Sequence, residues 1–292
     1  MVALSEGVLK RAGQARFGTR QFYWLLIMPA AALMVGLYFY PLFKVLIISV
    51  SEPQPGFGNY EKLISSESVH QTLIVTLRIC VITTSVTLLL GYIVSYAMVQ
   101  APMAWLRWLM FFVLLPLWIS VLVRAFSWIT LLRSNGLVND ALLGWGLVDS
   151  PLSLMRNEFG VSVGMIHYML PFAVLPLYAN MRTIDLRLIA AARALGAPPW
   201  TAFRRIFLPL SMPGVVASGM LVFIFSMGFY VTPALLGGGR VFMVAEYIGI
   251  QITQTLRWGI GTMLATVLLV SILLLLLLLG RVVNLRKLFG AN

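Results

Sequence analysis

Long unbroken apolar stretches separated by short polar and basic segments set the pattern of this chain. Charge-free runs of more than twenty residues occupy positions 21–43, 79–99, 159–181 and 258–280. A bilayer core about 30 Å thick needs roughly 20 apolar residues at a rise of 1.5 Å each, so each run predicts a membrane-spanning helix. A further run, 206–239, is long enough for a loop plus a span, and 109–132 is a sixth candidate although it contains Arg124. The prediction is an all-α polytopic membrane protein of six transmembrane helices, each satisfying its own backbone hydrogen bonds as lipid requires. Composition agrees: 60% of the 292 residues are hydrophobic and 10% charged, with a mean hydropathy of +0.94, which excludes an ordinary soluble domain.

Charge adds an orientation, because short loops rich in Lys and Arg are retained in the cytoplasm. Lys10, Arg11, Arg16 and Arg20 precede the first span, Arg107 lies between the second and third, five arginines lie between the fourth and fifth, and Arg281, Arg286 and Lys287 end the chain. The opposite loops hold only Lys62, Arg133, Arg156, Arg240 and Arg257, together with most of the acidic residues. Both termini are expected in the cytoplasm, and the net charge of +12 then needs no nucleic acid to explain it. The first apolar run lacks a small-residue cleavage pattern and is expected to stay as a helix. Cys80 is the single cysteine and reads as packing. With no internal repeat or linker, 21–285 reads as one transmembrane domain, flanked by a cytoplasmic segment 1–20 and a tail 286–292. The leucine run 273–279 reads as a lipid-facing surface.

Between the fourth and fifth spans, 182–209 carries a different signal. Positions 184–195 are rich in Ala, Leu and Arg without Gly or Pro and predict a helix that Gly196 ends. Pro198 and Pro199 fix a turn and can open a new helix. Positions 200–207, beginning at Trp200, predict a second short helix with Phe203, Ile206 and Phe207 on one side and Arg204 and Arg205 on another. A helix that short is marginal alone and needs a docking partner. A basic amphipathic surface that binds anionic lipid is the alternative. The segment resembles the loop shared by the membrane subunits of ABC importers, whose pattern is Glu-Ala-Ala, three residues, Gly, nine residues, Ile, one residue, Leu-Pro. Ala191, Ala192, Gly196, Ile206, Leu208 and Pro209 fall at that spacing, while Ala190 replaces the glutamate. The resemblance implies that this loop docks into an ATPase subunit and transmits its closure to the spans.

Longer phrases extend the resemblance over most of the chain: Leu115-Pro-Leu-Trp118, Leu122-Val-Arg124 with Trp128, Asn135-Gly-Leu-Val-Asn139, Leu170-Pro-Phe-Ala-Val-Leu-Pro-Leu-Tyr178 and Thr232-Pro-Ala-Leu-Leu-Gly-Gly-Gly239. Together these resemble the first permease of spermidine/putrescine-type importers. That likeness implies a type I importer fold in the bacterial inner membrane. It also implies a second related permease, two ATPase subunits that bind ATP and Mg, and a periplasmic or lipid-anchored solute-binding protein. This chain itself is expected to bind no cofactor and no metal. Implied solutes are polyamines, other small amines or amino acids.

Candidate pathway residues are Phe225, Ser226, Phe229, Tyr230 and Thr232 on the fifth span and Trp118, Arg124 and Trp128 on the third. Aromatic faces can hold an ammonium at about 0.5 to 2 kcal/mol each, although interfacial placement and packing explain aromatics in any membrane protein. Polyamine permeases commonly place an acid after the residue matching Gly228, whereas this chain has Phe229 and Tyr230, which leaves a monoamine or zwitterion open. Glu246 is the acid nearest a predicted helix and is expected in a loop or at its edge. An arginine inside a span costs about 2.5 to 3.5 kcal/mol on insertion scales, so Arg124 is expected to face a partner, a cavity or the interface. Lys44 and Arg78 read as anchors at span ends, and His167 as a packing residue. Pro41, Pro116, Pro171, Pro176, Pro209 and Pro213 are expected to interrupt and bend their helices, with Pro171 and Pro213 as hinges. No phosphate-binding loop, His-Glu-x-x-His or metal-spaced cluster occurs, so the chain is not expected to be an enzyme. An ion-gradient-driven secondary transporter or a channel is the alternative, and it would need carboxylates near midplane or a selectivity ring.

Overall fold

The computed structural model describes residues 19–282, so nearly all of the basic segment 1–20, with Lys10, Arg11 and Arg16, and the whole tail 286–292 lie outside the described residues. All regular structure among the described residues is helical. The first span is one apolar helix, α1 (Thr19–Met34), a π-helical turn (Val35–Phe39) and α2 (Tyr40–Ser51). A short helix α3 (Gly58–Ser65) leads to α4 (Glu67–Gln100), a 34-residue span. Then come α5 (Met103–Trp118), α6 (Val121–Leu132), α7 (Leu137–Gly144) and the span α8 (Glu158–Met181). Beyond it lie α9 (Arg187–Ala194), α10 (Pro199–Ala202), a second π-helical turn (Phe203–Phe207) and α11 (Leu208–Met227). The chain closes with α12 (Val231–Leu236), α13 (Val244–Thr253) and the last span α14 (Trp258–Val282).

The bundle centre is α4 packed on α8, with α11 against both. Lipid is as apolar as leucine, so burying large side chains gains little here, and close approach of small residues holds such helices together. On α4 the buried face carries a small and polar stripe, Thr72, Thr76, Thr83, Thr87, Gly91 and Ser95, alongside Val69, Ile79, Cys80 and Met98, while Ile74, Leu77, Leu89 and Ile93 are exposed. The Ser95 hydroxyl donates across the seam to the Val174 carbonyl at 3.1 Å. α14 packs on α2 and α13, and Leu273, Leu274, Leu276, Leu277 and Leu278 of its leucine run are exposed, as the lipid-facing reading expects. Arg78 reaches Glu158 at 3.1 Å and ties α4 to α8, so it is more than the span-end anchor expected from sequence. Lys44 lies over the Tyr40 ring at 5.2 Å. Asn139 donates to the carbonyls of Arg133 and Leu152 and accepts from the Leu152 amide at 2.8 Å, which pins the turn around α7.

Two expectations need correction. The run 109–132 is not one continuous helix: α5 and the arm that follows it meet at 98°. Pro116 withdraws one backbone donor near the end of α5, and Ile119 and Ser120 are extended (ψ 131° and 138°). Five helices are therefore long and apolar enough to cross a membrane alone, and six if the bent pair counts as one. The short helix expected at 200–207 is also not a separate element, because 199–227 is one continuous helix of 29 residues. Pro209 does not stop it. In the π-helical turn the Leu208 amide bonds the Phe203 carbonyl, and that wider turn precedes a proline that would otherwise interrupt a regular ladder. Likewise α8 runs through Pro171 and Pro176, and α11 through Pro213, without ending.

Gly91 is where α4 and α8 approach closely through a missing side chain: a Cβ there would stand 3.0 Å from Ala173 Cβ. Gly91→Val is expected to weaken the fold by about 1 to 3 kcal/mol, as overpacking does. A lower thermal midpoint of the detergent-purified protein would register it, and an unchanged midpoint would show that this contact does not set the helix spacing.

Candidate functional site

One group of candidates converges where α6, α8 and α12 meet. Arg124 is buried at 6% exposure, with its guanidinium 4.7 Å from the centre of the Tyr168 ring. Its Nη2 donates to the Ile119 carbonyl at 2.7 Å, covering an acceptor that the break between α5 and α6 leaves without a helical partner. Arg124 thus faces a partner, one of the outcomes its insertion cost predicts. Its Nε and Nη1 have no hydrogen-bond partner among the described residues. One turn on, Trp128 Nε1 donates to His167 Nδ1 at 3.1 Å, in keeping with a packing role for that histidine.

Gly164 lets α12 close on α8, since a Cβ there would lie 2.7 Å from Thr232 Cγ2 and 2.5 Å from Leu236 Cδ1. From Tyr168 an aromatic chain continues to Phe229 (4.6 Å between centroids) and to Phe172 (5.8 Å), which meets Phe225 at 5.2 Å. The structure therefore joins Arg124, Trp128, Phe225, Phe229 and Thr232 around Tyr168. Trp118 stays apart at 85% exposure beyond the break. Ser226 is buried with its hydroxyl unpartnered among the described residues, and Tyr230 turns instead toward Gly249 of α13. Sequence reasoning missed Gly164, Tyr168 and Phe172. Their four-residue spacing, which places them on one helix face, was the available signal.

Glu246 departs from its expected place. It belongs to α13 rather than a loop, and it is 6% exposed. Its Oε2 has no hydrogen-bond partner among the described residues, and burial pushes its carboxyl up to about 7.

At the far end of the bundle, the 182–209 segment folds from local rules. Asp185 Oδ1 accepts the Arg187 amide at 2.9 Å and resets the chain, so the helix begins at Arg187 rather than at 184. Gly196 takes φ +89°, and the Ala197 amide returns to the Ala192 carbonyl at 3.0 Å, which closes α9 as a glycine stop should. Pro198 then precedes α10, and Trp200, Phe203 and Phe207 stack at centroid spacings of 5.6 and 5.9 Å. Tyr96 of α4 meets Phe203 and Phe207 edge-on at 5.4 and 5.0 Å. Ala190, Arg193, Tyr96 and Phe203 line a recess of about 250 Å³. Outside it, Leu188, Leu195 and Trp200 are exposed, beside exposed Arg187, Arg193, Arg204 and Arg205. Ala191, Gly196, Pro198 and Pro209 are exposed too, while Ala192, Ile206 and Leu208 are half-buried.

Comparison with known proteins bears on this arrangement. The spermidine/putrescine transport system permease protein PotB of Haemophilus influenzae is 34% identical over 181 residues, covering 62% of this chain and 63% of that protein. PotB of Salmonella typhimurium strain LT2 is 31% identical over 223 residues, covering 76% of this chain and 77% of its own. Among solved structures, a bacterial alginate ABC transporter in complex with alginate pentasaccharide-bound periplasmic protein matches with a TM-score of 0.73 at 18% identity. The match covers 89% of this chain and 94% of that one, a likeness that speaks for the fold. The family described as the binding-protein-dependent transport system inner membrane component matches residues 16–288, and the chain belongs to this family of ABC importer permeases.

Proposed function

We propose that this chain forms half of the translocation pathway of an ATP-driven importer for a small amine-bearing solute, a polyamine or a related monoamine or amino acid. An ATPase subunit drives it through the 182–209 segment. The observation that carries this reading is the apolar and basic surface of Leu188, Leu195, Trp200, Arg204 and Arg205, exposed at one end of a helix that runs unbroken to Met227. Exposed large apolar groups ringed by charge are what a partner surface covers. Closure of the ATPases, which hold ATP and Mg, displaces Trp200, and the motion passes along α11 to the aromatic group at Phe225 and Phe229. The solute arrives from a binding protein on the opposite side, and a second permease completes the pathway. Both termini and the 182–209 segment then lie in the cytoplasm, as the distribution of Lys and Arg favours.

Relatives named for spermidine and putrescine transport support an amine solute, and the half-exposed Tyr230 ring suits an ammonium. The ion-gradient alternative has less support, because the described carboxylates lie at the ends of the apolar spans or outside them and none falls within a charge-free run.

ATP-dependent uptake of putrescine, spermidine and competing monoamines and amino acids into proteoliposomes holding the whole complex tests this function. Uptake driven by an ion gradient without ATP would overturn it. Gly196→Pro, or charge reversal at Arg204 and Arg205, is expected to abolish coupled uptake while leaving membrane insertion intact; failed insertion would mark a folding element instead. Ala190→Glu is expected to leave uptake unchanged or raise it, and lost uptake would show that the recess beside Ala190 cannot take an acid.

A further inference from the structure

The amine-solute reading leaves unassigned the group that recognises the positive charge, and α13 supplies a candidate that no sequence motif marks. This helix has two faces. Val244, Tyr247 and Ile248 pack with Met263 and Leu264 of α14, and on that side the Val244 amide donates to Thr76 Oγ1 at 2.8 Å. Glu246 and Gly249, three residues apart, share the other face. There Gly249 abuts Tyr230, since a Cβ on it would stand 3.1 Å from Tyr230 Cε2. The Tyr230 ring is half exposed.

Glu246 is more than nine-tenths buried, and its Oε2 is orphaned. The described residues contain one ion pair, Arg78 with Glu158, and Glu246 takes no part in it. Arg124 is engaged elsewhere, against Tyr168 and on the Ile119 carbonyl. A carboxylate withdrawn from water without a partner weakens a fold, so stability gives no reason for an acid at this position. Orphaned buried polar groups call for a functional account, and an acid one helical turn from the residue that abuts an accessible aromatic ring is an arrangement that can take a cation.

We propose that Glu246 is the cation-recognising residue of the solute pathway, receiving a primary ammonium between its carboxylate and the Tyr230 ring. The charged partner missing from the fold is then the solute itself. This rests on the amine-solute reading, and the experiment separates the two.

The complete transporter, with its partner permease, ATPases and binding protein, is reconstituted in proteoliposomes, and ATP-dependent uptake of radiolabelled putrescine is measured at saturating binding protein. Glu246→Gln keeps the shape and removes the charge. It is expected to lower uptake by about tenfold or more, the scale of one lost charge contact, while complex yield stays level and the thermal midpoint holds or rises. Glu246→Asp is expected to keep uptake within about threefold of wild type on the same scale. Unchanged uptake in the Gln variant overturns the proposal. So does a Gln variant whose uptake loss matches a lower yield and midpoint, because that is the signature of a structural residue. Should that variant fail to assemble, Tyr230→Leu, altering a half-exposed ring, decides: reduced uptake in an assembled complex supports the site, and wild-type uptake overturns it. If the wild-type complex moves no amine, the solute reading itself fails before any variant is compared.

Discussion

Lipid removes the distinction that organises a soluble protein, because an apolar side chain gains little by turning from the bilayer to the bundle interior. What remains is close contact between helices, and the central trio depends on it. α4 meets α8 at Gly91 and Ala173, α12 meets α8 at Gly164, and α11 approaches α8 at Gly214, where a Cβ would stand 2.7 Å from Asn180 Cβ. Small residues at these points let dispersion forces and interhelical hydrogen bonds act over the seam. Every other placement follows: the break after Trp118 is held against α8 by Arg124, and the aromatic chain from Tyr168 reaches α11 because the helices are already close.

Much of this was legible in the sequence. Apolar runs of membrane length placed α8 and α14 within about two residues of their ends, since that signal is a length requirement rather than a subtle periodicity. The first span and α4 outrun their charge-free stretches, the one carrying on past Lys44 to Ser51 and the other starting at Glu67, well before position 79. Thr72 and Thr76 on that early part of α4 satisfy their hydroxyls with carbonyls one turn back, and so a stretch that reads as polar stays helical. Gly196 was legible for a backbone reason, a conformation that side chains disfavour.

The rest was hidden because it depends on tertiary context. Proline has opposite outcomes here: Pro116 lies near a break, while Pro171, Pro176 and Pro213 sit inside helices that continue. Composition does not say which freed carbonyl will find a new donor, and at Ile119 the donor is an arginine that sequence reasoning had considered as a pathway residue. Tyr168 was missed because a tyrosine in an apolar span looks like packing until Arg124 is seen against it. Glu246 looked like a loop acid because the 239–257 stretch has too few residues to announce a buried helix. Of the fifth-span candidates, Phe229 and Tyr230 both fall beyond the end of α11 at Gly228 and turn to different neighbours, Tyr168 and Gly249, which no spacing rule anticipates.

The unbroken helix from Pro199 to Met227 has a mechanical consequence. At 1.5 Å per residue its 29 residues make a rod about 43 Å long. A tilt of about 5° at one end therefore sweeps the other through about 4 Å, a distance comparable with the width of an ammonium group, on the same geometry. A jointed connection would have dissipated so small an angle in its hinge. The amplification comes from length, and the π-helical turn at Phe203–Phe207 is where Tyr96 meets the rod edge-on.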